Sequence, residues 1–62
     1  MFTVEEMNLI QAMDHTCRRM SIFDMKASIP NIKDAELKAL CEKTLRKVSA
    51  MTYSDFAAIN FA

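Results

Sequence analysis

The sequence predicts an all-α fold, a single domain over residues 1–62 built as a small bundle of three to four short helices. Three observations carry this expectation. An apolar–Thr–x–x–acid–apolar signature occurs twice, as FTVEEM at 2–7 and as MTYSDF at 51–56. Between them Leu37, Leu40, Cys41, Thr44, Leu45, Val48 and Met51 recur at steps of three and four, one apolar stripe of helical period. Strand signals are missing, because the chain has no glycine for turns and no sustained alternation of apolar and polar residues.

The first signature marks a helix start. Thr3 before a helix can accept a hydrogen bond from an orphan first-turn N–H, and Glu6 can reach back to the Thr3 N–H, which makes a capping box. Phe2 and Met7 are then spaced as a hydrophobic staple across it. The first helix is expected over about 4–13, with Met7, Leu9, Ile10 and Met13 on its apolar side. Asp14 and Thr16 are both competent N-caps for a second helix over about 17–28. That helix should stop before Pro30, since the residue preceding a proline is pushed out of helical geometry.

PNIKD at 30–34 reads as the one clear loop, with Asp34 as the N-cap of a third helix over about 35–50. The third helix has the cleanest stripe and is the expected central scaffold. Lys38, Glu42 and Arg46 lie on its other side at four-residue steps, in a favourable order for Glu42 and Arg46. A fourth helix should begin after Thr52, capped by Thr52 with Asp55, stapled by Met51 with Phe56, and carry Phe56 and Ile59. With no glycine for left-handed C-caps, Asn31 or His15 is the residue best able to take that conformation. The expected core is Phe2, Met7, Ile10, Leu37, Leu40, Cys41, Leu45, Val48, Met51 and Phe56.

The second helix departs from this regularity. Ile22, Met25 and Ile29 share one side and Met20, Phe23 and Ala27 another, with Arg19 and Lys26 between them. The polar strip of Cys17, Ser21, Asp24 and Ser28 separates the two apolar groups on the remaining side. A surface helix needs one apolar face. A second is either covered by other helices of the bundle or offered to a partner, and methionine suits surfaces that must adapt. The sequence leaves both readings open; at least partial exposure of Met20 and Phe23 is the one taken forward.

Composition excludes several function classes. A 62-residue chain buries only about 60% of its unfolded surface, so a hydrophobic fraction of 52% invites a partner. Eight acids balance eight bases, which argues against a general nucleic-acid binder. No apolar run approaches the ~20 residues of a membrane span, and no signal peptide is evident, so a cytoplasmic location is expected. Cys17 and Cys41 are expected as free thiols. His15, Cys17 and Cys41 fall short of the paired, four-ligand spacing of structural zinc, so no metal and no cofactor is expected. His15 beside Cys17 in sequence does not make an oriented nucleophile–base pair. Without glycine there is no phosphate-cradling Gly-rich loop, and no enzyme activity is expected. The cluster Lys43, Arg46 and Lys47 sits where cations complement the negative end of the third helix. A helix-turn-helix reading is weakened by the five-residue proline loop, which is longer than the usual turn.

MFTVEEMNLI at the N-terminus, Asp14 followed four residues later by Arg18, IP closing the second helix, and LRKVSAMTYSDFAAI together carry a resemblance. Over nearly its whole length the chain resembles the transposon-transfer assisting proteins, small helical proteins encoded in bacterial conjugative transposons. DHTCRR stands where a small-polar, DTSSR-like segment is expected. The resemblance implies a helical fold and a role in mobile-element transfer, and it supplies no catalytic residues. The expectation is therefore a non-enzymatic accessory protein that binds a protein of the transfer machinery, or itself, through Arg19, Met20, Phe23, Lys26 and Ala27. The alternative is a weak DNA-binding accessory acting through Arg18, Arg19, Lys43, Arg46 and Lys47.

Overall fold

Side-chain caps set three of the four α-helix starts among the described residues. The computed structural model describes residues 2–59, and among these the elements run α1 (Val4–Ala12), α2 (Arg18–Ser28), a 3-10 turn (Ile29–Asn31), α3 (Ala35–Ala50) and α4 (Tyr53–Ala57). No strand occurs among the described residues. At α1 the expected box is complete: Thr3 Oγ1 accepts from the Glu6 N–H at 3.2 Å and Glu6 Oε1 accepts from the Thr3 N–H at 2.8 Å. At α3 Asp34 Oδ1 accepts from the N–H groups of Glu36 and Leu37 at 2.9 and 3.3 Å. At α4 Thr52 Oγ1 accepts from the Asp55 N–H at 3.0 Å. Only this half of the second box forms, because the Asp side chain is one carbon shorter than the Glu of the first.

The start of α2 corrects the sequence reading. Neither Asp14 nor Thr16 caps it; the N-cap is Cys17, in extended geometry and without a side-chain bond. Asp14 is committed elsewhere. Its Oδ1 accepts from the Thr16 N–H at 3.0 Å, a local Asx turn, and its own N–H donates to Asp24 Oδ2 at 2.8 Å. The turn before α2 is thus stitched to the middle of the same helix.

The exit from α2 differs too. Ile29 keeps right-handed helical angles, φ −51° and ψ −48°, although it precedes proline. The chain tightens into a 3-10 turn that Pro30 can enter, since a first-turn N–H would have no partner anyway. Neither Asn31 nor His15 takes the left-handed conformation expected of them, and no described residue has positive φ. The helices end instead on extended residues, Met13 for α1 and Met51 for α3.

Ile10 of α1, Met25 of α2, Cys41 and Val48 of α3 and Phe56 of α4 form the fully buried core. Each large apolar side chain among them contributes about 1.5–3 kcal/mol by leaving water. Phe2, Leu9, Met13, Ile22, Ile29, Ile32, Leu45, Met51 and Ile59 pack around it, half-buried. Of the expected core, Met7 and Leu40 are likewise half-buried, while Leu37 is 43% exposed. α3 carries α1 and α2, and α4 rests chiefly on α2. At ~24 Å, α3 outreaches ~14 Å of α1 and ~17 Å of α2. Its whole first stretch, residues 35–39, is left in solvent, and Leu37 with it.

Candidate functional site

α2 turns its small polar strip inward. Ser21 is fully buried beside Met25, and Cys17, Asp24 and Ser28 are half-buried. These side chains sit at steps of four, three and four, a line of small groups along which another helix can approach closely. That spacing was the available signal in the sequence, and reading the strip only as a polar divider misses it. Met25, Ile22 and Ile29 flank the strip and join the core.

With that side inward, Arg19, Met20, Phe23, Lys26 and Ala27 all face solvent together. Phe23 is 68% exposed and Met20 41%. Next to them lies an open hollow of about 460 Å³ lined by Cys17, Arg19, Met20 and Phe23. The structure therefore assembles all five candidate partner-binding residues on one helix face, with the apolar side chains outward.

The five candidate nucleic-acid cations are placed differently. The Arg18 guanidinium donates to the Ser49 carbonyl at 2.8 Å, satisfying the C-terminal end of α3. The Lys47 ammonium lies 2.7 Å from Glu6 Oε1 and 5.9 Å from the centroid of the Phe2 ring. Arg19, Lys43 and Arg46 are exposed. Two of the five are thus drawn into the fold. Burial pushes the Glu6 carboxyl up, yet Lys47 and the N–H and hydroxyl of Thr3 outweigh it and hold its pKa below the ordinary value.

A second, small hollow of about 70 Å³ lies between the start of α2 and α4, lined by His15, Thr16, Cys17, Arg18, Tyr53, Phe56 and Ala57. The His15 ring is turned to the Met13 carbonyl, with Nδ1 at 3.1 Å. Both cysteines are free, Cys17 half-buried and Cys41 buried. Burial, with smaller contributions from Glu42 and Asp24, raises the Cys41 thiol above its ordinary pKa. Among the described residues no three His, Cys, Asp or Glu side chains are grouped to hold a metal ion. No helix among them is long and apolar enough to cross a membrane.

No curated protein and no solved structure matches the chain. A family model does: the one described as "Putative transposon-transfer assisting protein" matches residues 2–62. The match takes in the capped start of α1, the exposed face of α2, the whole of α3 and the second Thr-capped start at α4. The chain belongs to the transposon-transfer assisting protein family.

Proposed function

We propose that this chain is a non-enzymatic, cytoplasmic accessory protein of a conjugative transposon that assists transfer by binding a protein of the transfer machinery through the outer face of α2. The observation that carries this reading is Phe23, 68% exposed beside Met20 on a helix whose opposite side already fills the core. A small domain gains nothing in stability from holding a phenylalanine in water, and exposed apolar groups beside charge are a common interface composition. Family membership supplies the setting of transposon transfer. The engagement of Arg18 and Lys47 within the fold, with no formal net charge, makes DNA binding the weaker reading.

The test is Phe23→Asp, expressed with an affinity tag in cells that carry the element. Circular dichroism should show helicity retained, because the new carboxylate meets water rather than core. Transfer frequency and co-purification of a transfer protein should both fall to the level of a strain lacking the gene. Unchanged transfer with a folded variant would overturn the reading.

A further inference from the structure

The exposed face of α2 has a sidedness that narrows what can dock on it. On a helical wheel centred on Phe23, Arg19 and Lys26 fall about 40–60° to one side, at −4 and +3. Met20 and Ala27 fall about as far to the other side, at −3 and +4. Along the face, then, one edge is basic and the other apolar, with Phe23 between them, and all five are exposed. No acid interrupts it. Asp24, the nearest carboxylate in sequence, is half-buried and accepts the Asp14 N–H at 2.8 Å. Among the described residues neither Arg19 nor Lys26 makes an ion pair, while their neighbour Arg18 is tied to the Ser49 carbonyl. The two uncommitted cations of α2 thus share one edge, seven residues and about 10 Å apart.

We infer that the partner segment is an amphipathic helix with acidic residues along one edge, which lays apolar side chains over Met20, Phe23 and Ala27 and carboxylates against Arg19 and Lys26. The inference rests on the protein-contact reading proposed above and adds the chemistry of the partner. A helix-on-helix contact needs apolar groups on the partner at i, i+3/i+4 and i+7 to follow this stripe. Complementary charge at the edge then fixes orientation and raises the encounter rate. A second copy of this chain fits badly. Two α2 faces meeting antiparallel about a two-fold axis put both basic edges on the same side, so Arg19 faces Lys26 twice with no acid between them.

The test replaces Met20 by a photo-crosslinking phenylalanine analogue in the full chain, in cells that carry the element, and identifies the crosslinked peptide by mass spectrometry. The expected product is a peptide of another protein with apolar residues at helical spacing and acids on one edge. The double variant Arg19→Glu/Lys26→Glu, its fold checked by circular dichroism, should lower the yield by about tenfold or more. Changing the partner's edge acids to lysine should restore it.

Each other outcome overturns the inference. A crosslinked partner peptide that is neutral or basic, or a yield insensitive to charge reversal, removes the acidic helix and leaves the protein-contact reading standing. A crosslink to this chain itself makes the face a self-interface. Sedimentation of the wild-type protein, but not the double variant, with vesicles containing anionic phospholipid would make the occupant a membrane surface. No crosslink to any protein removes both the acidic helix and the protein-contact reading.

Discussion

Lys47 and Glu6, 41 positions apart, meet through a 2.7 Å contact between the Lys47 ammonium and Glu6 Oε1. The same oxygen accepts the Thr3 N–H at 2.8 Å, so one carboxylate both caps α1 and pins α1 to the last turn of α3. The Glu6 side chain is 1% exposed and that of Lys47 32%, and Glu6 Oε2 is buried with no hydrogen-bond partner. Lys47 is what makes this buried charge tolerable.

Removing the cation should therefore hurt more than an ordinary surface substitution. Lys47→Met keeps an unbranched side chain but leaves the carboxylate uncompensated and removes the ammonium from beside the Phe2 ring. Loss of one partner of a fully buried pair costs about 3–5 kcal/mol. Because Lys47 is one-third exposed and water partly screens the pair, we expect about 2 kcal/mol. Urea denaturation of Lys47→Met beside Lys43→Met checks this. The exposed Lys43 should change stability by less than about 0.5 kcal/mol.

Acid should weaken the fold through the same carboxylate. The Glu6 pKa is lowered on folding from 4.5, so the unfolded chain takes up the proton first. The stabilisation is fully present above about pH 4.5 and is lost as pH falls through the lower folded value. Asp14, whose pKa is lowered by the Thr16 N–H and hydroxyl, acts in the same direction. Melting temperatures from pH 7 to pH 3 should fall for the wild type and fall less for Glu6→Gln, which has no proton to take up.

The two threonine caps should rank by their completeness. Thr52→Ala loses one hydrogen bond and should cost ~1 kcal/mol. Thr3→Ala also loses one such bond, the Glu6 N–H to Thr3 Oγ1, and in addition the hydroxyl that favours the Glu6 carboxylate, so it should cost somewhat more. For a domain of this size ~1 kcal/mol corresponds to about 4–8 °C in Tm, within easy reach of a thermal melt. Equal melting points for wild type and Thr52→Ala would mean that α4 is held by Phe56 alone.

The two thiols should react in sequence. Cys17, half-buried at the start of α2, should be modified by an aromatic disulfide reagent under native conditions. Cys41, buried and with its pKa raised, should react only on unfolding. Mass spectrometry after a short pulse of reagent distinguishes one adduct from two. A reductant or a chelator should leave the melting curve unchanged.

What the sequence disclosed and what it withheld divide by range. Thr3 with Glu6, Asp34 and Thr52 are local signals, complete within one helical turn, and they placed α1, α3 and α4. The apolar period of α3 named Cys41 and Val48 as core, whereas the two apolar groups of α2 left Phe23 open between cover by the bundle and exposure, and the structure exposes it. Leu37 misled because periodicity shows which side of a helix is apolar but not how far the neighbouring helices extend along it. The burial of Glu6 was invisible for a related reason. Its partner Lys47 was legible only as a helix-end cation until α1 docked on α3. Asp14 looked like a cap because its competing acceptor role, toward Thr16, and the Asp24 carboxylate waiting for its N–H depend on the turn already being closed.

The lack of positive φ among the described residues has a consequence for the denatured chain rather than the folded one. Every turn here is made in conformations that ordinary side chains already prefer, so the unfolded ensemble contains none of the excess freedom that glycine would bring. Each position that avoids glycine narrows that ensemble by about 0.4–1 kcal/mol. In a domain with five buried apolar side chains among the described residues and a small net stability, that narrower ensemble favours the folded bundle. Lys33→Gly, at an exposed position in the connection before α3, would erode that advantage without removing a core contact or a cap.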